Sequence, residues 1–484
     1  MSLAKHIFGV GAWTGVSRIL GFVRDMLIGQ FLGAGRLSDI FLTAFKIPNL
    51  FRDLLGEGAL SSVFIPMFAR EKKSPDFASQ VFSWLALIML IITIMMIIFM
   101  PIVMMGLAPG FDAEKLTMTI YIARIMAGWI FLVCMVAFLA AILNAFSEFL
   151  WVAIMPIISN VFLIGALLVF GANLPILASA FLVIGVVQIG ILWRRLKKRG
   201  FGLTLVRPRM NPAVKNMMKR MGWGFVGSGF YQLNVIVGVL IASFHTGAVS
   251  FLYFADRMIQ LPFAMVALAT GTVILTKISD AMRAEKMSAV YKYQNAAMRQ
   301  SLMLILPCVA GLIALGAPII RVLFEHGAWT ADATESVALV IAVLALALPF
   351  MTTSQIYLKT LYASGDVKTP VKISAITLAL AVVVMLSLSG TLEYLAVPVG
   401  TVVGGFVRNI WMRTVCARRS LLKTSPETVF SVFCFAALSA LMFAALLFTG
   451  DMAMGVFSLG LMIALSAVIY LPLAIFCDKI IDKK

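Results

Sequence analysis

Long runs of apolar residues follow one another along the chain from end to end. Nearly every run reaches about 20 residues, the length that an α-helix needs to cross a hydrocarbon core of roughly 30 Å. The apolar positions are continuous and do not alternate with polar ones, so they predict helices and not the strands of a barrel. We count fourteen predicted spans, centred near residues 20, 55, 92, 130, 160, 185, 232, 265, 305, 347, 380, 405, 438 and 464.

The composition points to the same class of protein. Of the 484 residues, 62% are hydrophobic and 12% are charged, whereas a soluble domain is about one quarter charged. The mean hydropathy is +1.03. Because no soluble domain fits between the apolar runs, the chain is predicted to be a polytopic membrane protein.

Basic residues gather in every second predicted loop, which is the pattern of cytoplasmic loops. The richest stretch, from Arg194 to Arg220, holds ten basic residues and no acidic one, while the loops "APGFDAE", "EHGAWTADATE" and "SGTLEY" are mildly acidic. Both termini are therefore predicted to be cytoplasmic, and the first run is expected to be a retained span and not a signal peptide. Contact of the basic loops with anionic lipid accounts for the net charge of +18, so no nucleic-acid partner is expected.

The longest polar segment divides six predicted spans from the eight that follow. We predict an N-lobe at residues 1–196 with spans 1–6, a basic cytoplasmic linker at 197–221, and a C-lobe at 222–424 with spans 7–12. Residues 425–484 hold spans 13 and 14. The predicted fold class is thus all-α, with fourteen transmembrane helices in two six-helix lobes plus two C-terminal helices. Two such lobes are typical of duplicated transporters.

Charged residues inside the predicted spans mark the candidate site, because a charge in the membrane is costly and usually functional. Counted from His6, Arg18 lies about 18 Å along span one, near the middle of the bilayer. Gly21 is expected to leave the same helix face open. The stretch "SRILGFVRD" places a hydroxyl, two arginines and a carboxylate on two adjacent stripes of that helix: Ser17, Arg18, Arg24 and Asp25.

Span two repeats this arrangement in "AFKIPNLFRDLLGEGALSS". Intervals of three, four and four residues place four polar side chains on one helix face, with Arg52 beside them: Lys46, Asn49, Asp53 and Glu57. In span eight, "YFADRMIQLP" adds Asp256, Arg257 and Gln260 from the other predicted lobe.

Two interpretations of these charges are open. In the first, Arg18 pairs with Asp25, and Arg52 pairs with Asp53 or Glu57, only to fix helix packing. In the second, the charges line a cavity for a ligand. Packing needs no intramembrane charge, and each one costs at least about a few kcal/mol, which favours the second interpretation. Arginine dominates, and its planar fork matches phosphate, so the predicted ligand is an anion, most simply a phosphate.

Several stretches together closely resemble the MurJ/MviN proteins, the lipid II flippases of the MOP exporter superfamily. They are "SRILGFVRD", "DIFLTAFKIPNLFRDLLGEGALSSVFIPMFA", "APGF", "YFADR" and "KTPVKI", and the resemblance runs over essentially the whole chain. It implies that the protein moves undecaprenyl-diphosphate-linked disaccharide pentapeptide from the inner to the outer leaflet of the bacterial inner membrane. Alternating access driven by the membrane potential is the expected mechanism. Lipid II, membrane lipids and cell-wall synthesis proteins are the expected partners, and no cofactor is expected.

The resemblance also implies functional residues. It places the family's cavity arginines at Arg18, Arg24, Arg52 and Arg257 and its acidic position at Asp39, and it assigns spans 13 and 14 to a groove for the polyprenyl tail. With the residues found from spacing, the substrate-binding candidates are Arg18, Arg24, Arg52, Arg257, Asp25, Asp39, Ser17, Lys46, Asn49 and Glu57.

Three alternatives stay open at this point. A multidrug antiporter of the same superfamily would share the arrangement of two six-helix lobes. However, an arginine-rich cavity would bind a cationic substrate poorly. A flippase for another polyprenyl-linked saccharide would share the anion site. An integral-membrane enzyme acting on polyprenyl phosphates commonly needs clustered carboxylates for Mg²⁺, and the sequence has no Asp-Asp pair or D-x-x-D cluster in a cytoplasmic loop. The sequence also lacks a G-x-x-x-x-G-K-[ST] loop, so neither an enzyme nor a metal site is expected.

Overall fold

The computed structural model describes residues 3–54, 60–264, 266, 269–449 and 455–482. Side chains are described for these residues except at 3–12, 61–62, 222–231, 269–275, 449 and 480–482. Regular structure within this part of the chain is helical throughout, with one short 3₁₀ helix at Glu393–Leu395. The α-helices are α1 Leu3–Leu32, α2 Arg36–Arg52, α3 Leu60–Arg70, α4 Pro75–Leu107, α5 Ala113–Ala145, α6 Phe149–Phe170, α7 Leu174–Lys198, α8 Pro212–Ala242, α9 Ala248–Phe263, α10 Ala269–Arg283, α11 Met287–Phe324, α12 Ala331–Ala345, α13 Leu348–Ala363, α14 Lys368–Leu392, α15 Ala396–Arg418, α16 Pro426–Thr449 and α17 Val456–Asp482.

If α2 and α3, α9 and α10, and α12 and α13 are each counted as one span, the seventeen α-helices of the described residues form fourteen segments. The predicted centres near residues 55 and 265 fall outside the described residues. The centre near 347 falls between α12 and α13, and each of the other centres falls inside a single helix. The predicted all-α fold with fourteen segments is confirmed.

Nine helical stretches in the described part of the chain are long and apolar enough to cross a membrane. Two of the nine, Ala331–Ala363 and Lys368–Arg418, run through more than one helix. Helices α1, α2 and α9 are not among the nine, and these are the helices that carry the charges singled out from the sequence. The candidate site therefore lies on helices outside these nine stretches.

Polar caps explain where several of the long apolar helices begin. A side-chain oxygen just before the first turn accepts a backbone N–H of that turn, which would otherwise lack a partner. Proline at the first or second helical position assists three of these starts. The caps of α4, α5, α7 and α8 are Ser74, Asp112, Asn173 and Asn211.

The chain folds into two compact units. The first holds Met1–Ser250 with Gly327–Trp329, and the second holds Phe251–His326 with Thr330–Lys484. In the first unit, α5 is the most buried of the nine apolar stretches: 72% of its apolar 18-residue window is buried. It packs against α2, α4 and α7. In the second unit, α11 packs against α10, α12, α13 and α16, while α14 and α15 form a close pair.

The segment predicted as a linker, residues 197–221, is docked against α4 of the first unit. The backbone N–H groups of Thr204 and Val206 donate to the hydroxyls of Ser79 and Ser83, at 3.1 and 2.9 Å. Helix α8, which follows, contacts α3 and α4, and the contact boundary between the units falls near residue 250. The functional lobes at 1–196 and 222–424 stay a prediction.

Candidate anion site

On α1, Arg24 is held by an ion pair and by an amide from another helix. Its Nε and Nη2 atoms donate to Asp25 Oδ1, at 3.0 and 2.7 Å, and its Nη1 donates to Asn160 Oδ1 at 3.1 Å. The Asp25 residue is only 3% exposed, whereas the Arg24 side chain is 21% exposed. The guanidinium is thus fixed in orientation while part of it faces outward.

Asn160 on α6 completes this network, and sequence reasoning missed it. Its Nδ2 donates to the backbone carbonyl of Ser17 at 3.0 Å, which ties α6 to the predicted polar stripe of α1. A Cβ atom added at Gly21 would lie 3.5 Å from the same Nδ2 atom. Gly21 therefore admits Asn160 and does not leave the face open, so that expectation is wrong. The available signal was a lone amide in the apolar run of α6.

Arg18 differs from Arg24 in having no carboxylate beside it among the residues that the structure describes. Because α1 rises by about 1.5 Å per residue, Arg18 lies about 22 Å from Leu3 and about 21 Å from Leu32, in the middle of the helix. The residue is exposed and makes no hydrogen bond or ion pair with any residue that the structure describes. Asp25 contacts Arg24 instead, so the pairing of Arg18 with Asp25 that the packing interpretation requires is not found among the described residues. Arg18 is available to an external anion.

On α2, three of the predicted residues form a second cluster. Asn49 Nδ2 donates to Asp53 Oδ2 at 3.1 Å, and Arg52 donates to Asp53 Oδ1 through Nε at 3.2 Å and Nη2 at 2.9 Å. Of the two partners that the packing interpretation allows for Arg52, Asp53 and Glu57, the structure shows Asp53, yet 45% of the Arg52 side chain is exposed. Lys46 is half-buried on the same helix, and Glu57 lies outside the described residues.

Asp39 sits in a closed, fully buried network near the start of α2. Its two carboxylate oxygens accept four hydrogen bonds, from Lys115 Nζ at 2.8 Å, Gly247 N at 2.7 Å, Ser250 N at 2.9 Å and Ser250 Oγ at 2.6 Å. The Lys115 ammonium also lies 3.9 Å from the centroid of the Phe111 ring. Asp39 thereby links α2 and α5 to the start of α9, and all of these residues belong to the first unit.

The partner of Asp39 was also missed by sequence reasoning. Lys115 is the lone basic residue in the first turn of the long apolar helix α5, and only 3% of it is exposed. A lysine so deeply buried needs an opposite charge, since unpaired burial is very costly. The role of Asp39 as a contact for the ligand stays a prediction.

The α9 residues form a further cluster, in the second unit. Arg257 Nη1 donates to Gln260 Oε1 and Nη2 donates to the Tyr253 hydroxyl, both at 3.3 Å. The guanidinium carbon of Arg257 is 4.9 Å from the centroid of the Tyr253 ring. Gln260 in turn donates through Nε2 to the Asp256 carboxylate. Ring and amide contacts hold this guanidinium as Asp25 and Asn160 hold that of Arg24.

The chemistry available in these clusters is anion binding. Arginine stays protonated at any physiological pH, and its fork can take two phosphate oxygens at once. In the part of the chain that the structure describes, no three His, Cys, Asp or Glu side chains are grouped so that they could hold a metal ion.

A comparison with family models identifies the chain. The model described as "Lipid II flippase MurJ" matches residues 28–468. The chain belongs to the MurJ lipid II flippase family. Among its relatives is a probable lipid II flippase MurJ of Rickettsia prowazekii, 34% identical over 398 residues, which cover 80% of this chain and 78% of the relative. A probable lipid II flippase MurJ of Rhizobium tropici is 33% identical over 439 residues, covering 87% of this chain and 82% of that protein.

Solved structures show the same fold. A lipid II flippase MurJ described in an inward closed conformation has a TM-score of 0.85 and 24% identity, covering 98% of this chain and 99% of that one. An inward-facing multidrug resistance MATE transporter of the MOP superfamily has a TM-score of 0.69 and 14% identity, covering 83% of this chain and 95% of the transporter. The resemblance to MurJ inferred from the sequence motifs is confirmed, and the MATE likeness concerns the fold alone.

Proposed function

We propose that this protein is a flippase that carries lipid II from the inner to the outer leaflet of the bacterial inner membrane. The observation that carries the proposal is Arg18, an exposed arginine in the middle of a membrane helix with no anionic partner among the described residues. A charge in this position is costly unless a ligand compensates it. Membership of the MurJ family supplies the identity of that ligand.

The charges on α1 and α2 favour a diphosphate. Arg18, Arg24, Arg52 and Lys46 are basic, whereas the described acidic side chains in the two clusters are Asp25 and Asp53. Among these described side chains the excess is positive, which suits the negative charge of a diphosphate diester. Each acidic residue contacts one arginine and leaves part of that guanidinium exposed. These carboxylates would then orient the arginines without cancelling the attraction for the ligand.

Transport by alternating access needs no covalent step, and we infer no enzymatic activity. The membrane potential is the proposed driving force. With the cell interior negative, outward movement of an anionic headgroup is favourable by about 2.3 kcal/mol per charge per 100 mV. The excess of arginine would favour return of the empty site towards the interior.

The proposed membrane arrangement places both termini and the basic loops in the cytoplasm, following the charge bias of the loops. The polyprenyl tail is proposed to lie along α16 and α17. These helices pack on α11 through a cluster of Leu315, Leu446 and Leu459. Their outer faces are strongly apolar and exposed, with Phe448 at 91% and Phe457 at 94%. Such faces suit a hydrocarbon tail.

The experiment that tests the proposal uses a bacterium depleted of its own flippase. This chain is expressed there, and lipid II on the outer leaflet is measured with an externally added probe of the headgroup. Restored exposure is expected, and it should stop when an ionophore collapses the membrane potential. Absence of restoration by a well-expressed protein would contradict the flippase function. Undiminished export without the potential would contradict the driving force alone.

A further inference from the structure

A cavity lined partly by basic side chains lies where α11 and α16 begin, in the second unit and outside the clusters described above. Its volume is about 740 Å³, within the range of small-molecule sites. Its lining includes three basic side chains, one aromatic side chain and several neutral polar ones, among them Lys292, Arg299, Lys423, Tyr291, Asn295 and Ser425.

The walls of the cavity are fixed by hydrogen bonds between α11 and the loop before α16. Asn295 Nδ2 donates to the backbone carbonyl of Lys423 at 2.8 Å, and Asn295 Oδ1 accepts the backbone N–H of Ser425 at 3.0 Å. The Tyr291 hydroxyl donates to the carbonyl of Ser420 at 2.6 Å. Lys423 is thereby held at the rim, and the cavity is formed before any ligand enters.

The charge of the cavity is positive. Glu427 is the one acidic lining residue. Arg299 Nε lies 3.5 Å from Asp478 Oδ1, so that arginine is partly neutralised. Lys292 and Lys423 are exposed, and neither has an ion pair with a carboxylate among the described residues. The start of α16 adds the positive end of a helix dipole. The cavity thus suits an anion.

The position of the cavity along α11 places it at the membrane surface. At about 1.5 Å per residue, the 38 residues of α11 extend about 57 Å, well beyond a core of roughly 30 Å. The lining residues of α11 lie within its first thirteen positions. They and Lys423 fall on the side predicted to be cytoplasmic, where the leaflet carries anionic lipid.

An exposed apolar stripe continues from the cavity into the membrane. Pro426 lines the cavity, and Phe430 and Phe433 follow four and seven residues later on the same face of α16. These two rings are 59% and 70% exposed. A free phosphate would not use this stripe, whereas an acyl chain attached to a phosphate would.

We propose that this cavity binds the phosphodiester headgroup of an anionic phospholipid of the cytoplasmic leaflet, with an acyl chain along Phe430 and Phe433. Lys292 and Lys423 supply the charge that the phosphate requires. The headgroup site is distinct from the arginines of α1, α2 and α9.

The test measures the thermal unfolding midpoint of the purified full-length protein in an uncharged detergent while phosphatidylglycerol is added. A ligand that binds the folded state raises this midpoint. The test variant is Lys292→Gln/Lys423→Gln, and Lys292→Arg/Lys423→Arg retains the charge. The matched control, Lys368→Gln/Lys372→Gln, removes the same charge from two exposed lysines at the start of α14. Phosphatidylcholine and inorganic phosphate are added in parallel.

Phosphatidylglycerol is expected to raise the midpoint saturably in the wild type, the arginine variant and the control. In the glutamine variant, the half-saturating concentration should rise about 30-fold, or about fivefold for each single Lys→Gln change if the double variant does not fold. An unchanged value would overturn the proposal, as would an equal response to phosphatidylcholine. An equal response to inorganic phosphate would show a free-anion site and contradict the lipid assignment.

Discussion

Replacing Asp39 by asparagine should destabilise the protein strongly, because it breaks a buried ion pair. Asp39 is fully buried and Lys115 is 3% exposed. Lys115 Nζ and the Gly247 N–H both donate to Asp39 Oδ2. The backbone N–H and the hydroxyl of Ser250 both donate to Oδ1. An asparagine offers one acceptor oxygen and an NH₂ group. Two of the four hydrogen bonds are then lost, because the NH₂ group is itself a donor and lies against the donors of either Lys115 or Ser250.

The expected cost is about 3–5 kcal/mol in the free energy of unfolding, the range for removing one partner of a buried ion pair. The measurement is a denaturing-detergent titration of the purified protein followed by circular dichroism, for the wild type and Asp39→Asn. The matched control is Glu114→Gln, a carboxylate that pairs with Arg36 at the surface and has a 90% exposed side chain. That change should alter the unfolding free energy little.

A double variant separates the ion pair from other effects of the substitution. Asp39→Asn/Lys115→Met removes both charges, so it should cost at least about 1 kcal/mol less than the sum of the two single variants. Strict additivity, or a cost below about 1 kcal/mol for Asp39→Asn, would refute the reasoning. If Asp39→Asn folds normally but abolishes export, Asp39 acts on the substrate and not on stability.

Three further predictions concern other parts of the structure. Asn160→Leu should leave expression intact but reduce lipid II export in a flippase-depleted cell, because the α1 arginine loses its amide support; an unchanged export rate would show that this support is dispensable. In the loop before α14, hydrogen bonds from Thr369 and then the pairing with an arginine lower the pKa of Asp366 from 3.8 to about 2. Its contribution to stability is therefore present above pH 3.8 and lost as the pH falls towards 2, so acid unfolding curves of the wild type and Asp366→Asn should converge there. Gly400→Ala should lower the thermal midpoint, since the added Cβ would lie 2.8 Å from the carbonyl oxygen of Ala381 on the neighbouring helix; an unchanged midpoint would mean that α14 and α15 separate at little cost.

The sequence predicts the helices well because the bilayer itself sets their length and polarity. In the part of the chain that the structure describes, the apolar runs correspond to helices, and the division of a run into two helices, such as the break between α12 and α13, is what the pattern does not predict. A span must be apolar wherever it meets lipid, so its approximate centre is visible in the residues. Where such a span divides into two helices depends on packing against other helices.

The candidate site is likewise predictable from the sequence only in part. The pair of Arg52 and Asp53 is predictable, since the two residues are neighbours in the chain. The partners that were missed are distant, with Asn160 lying 136 positions from Arg24 and Lys115 lying 76 positions from Asp39. Helical periodicity says which residues share a face of one helix, but it does not say which other helix packs there. Lone polar residues in apolar runs were the available sign.

The central claim, that the arginines of α1 and α2 hold the diphosphate of lipid II, is tested most directly by equilibrium binding to the purified protein. Lipid II affinity is measured for the wild type and for Arg18→Ala, Arg24→Ala and Arg52→Ala. Arg36→Ala is the control, because Arg36 lies on the same helix as Arg52, is similarly exposed and already pairs with Asp112. Each test variant is expected to bind about 10- to 100-fold more weakly, as loss of a charged hydrogen bond predicts, while the control binds normally. Wild-type affinity in all three folded variants would contradict the account.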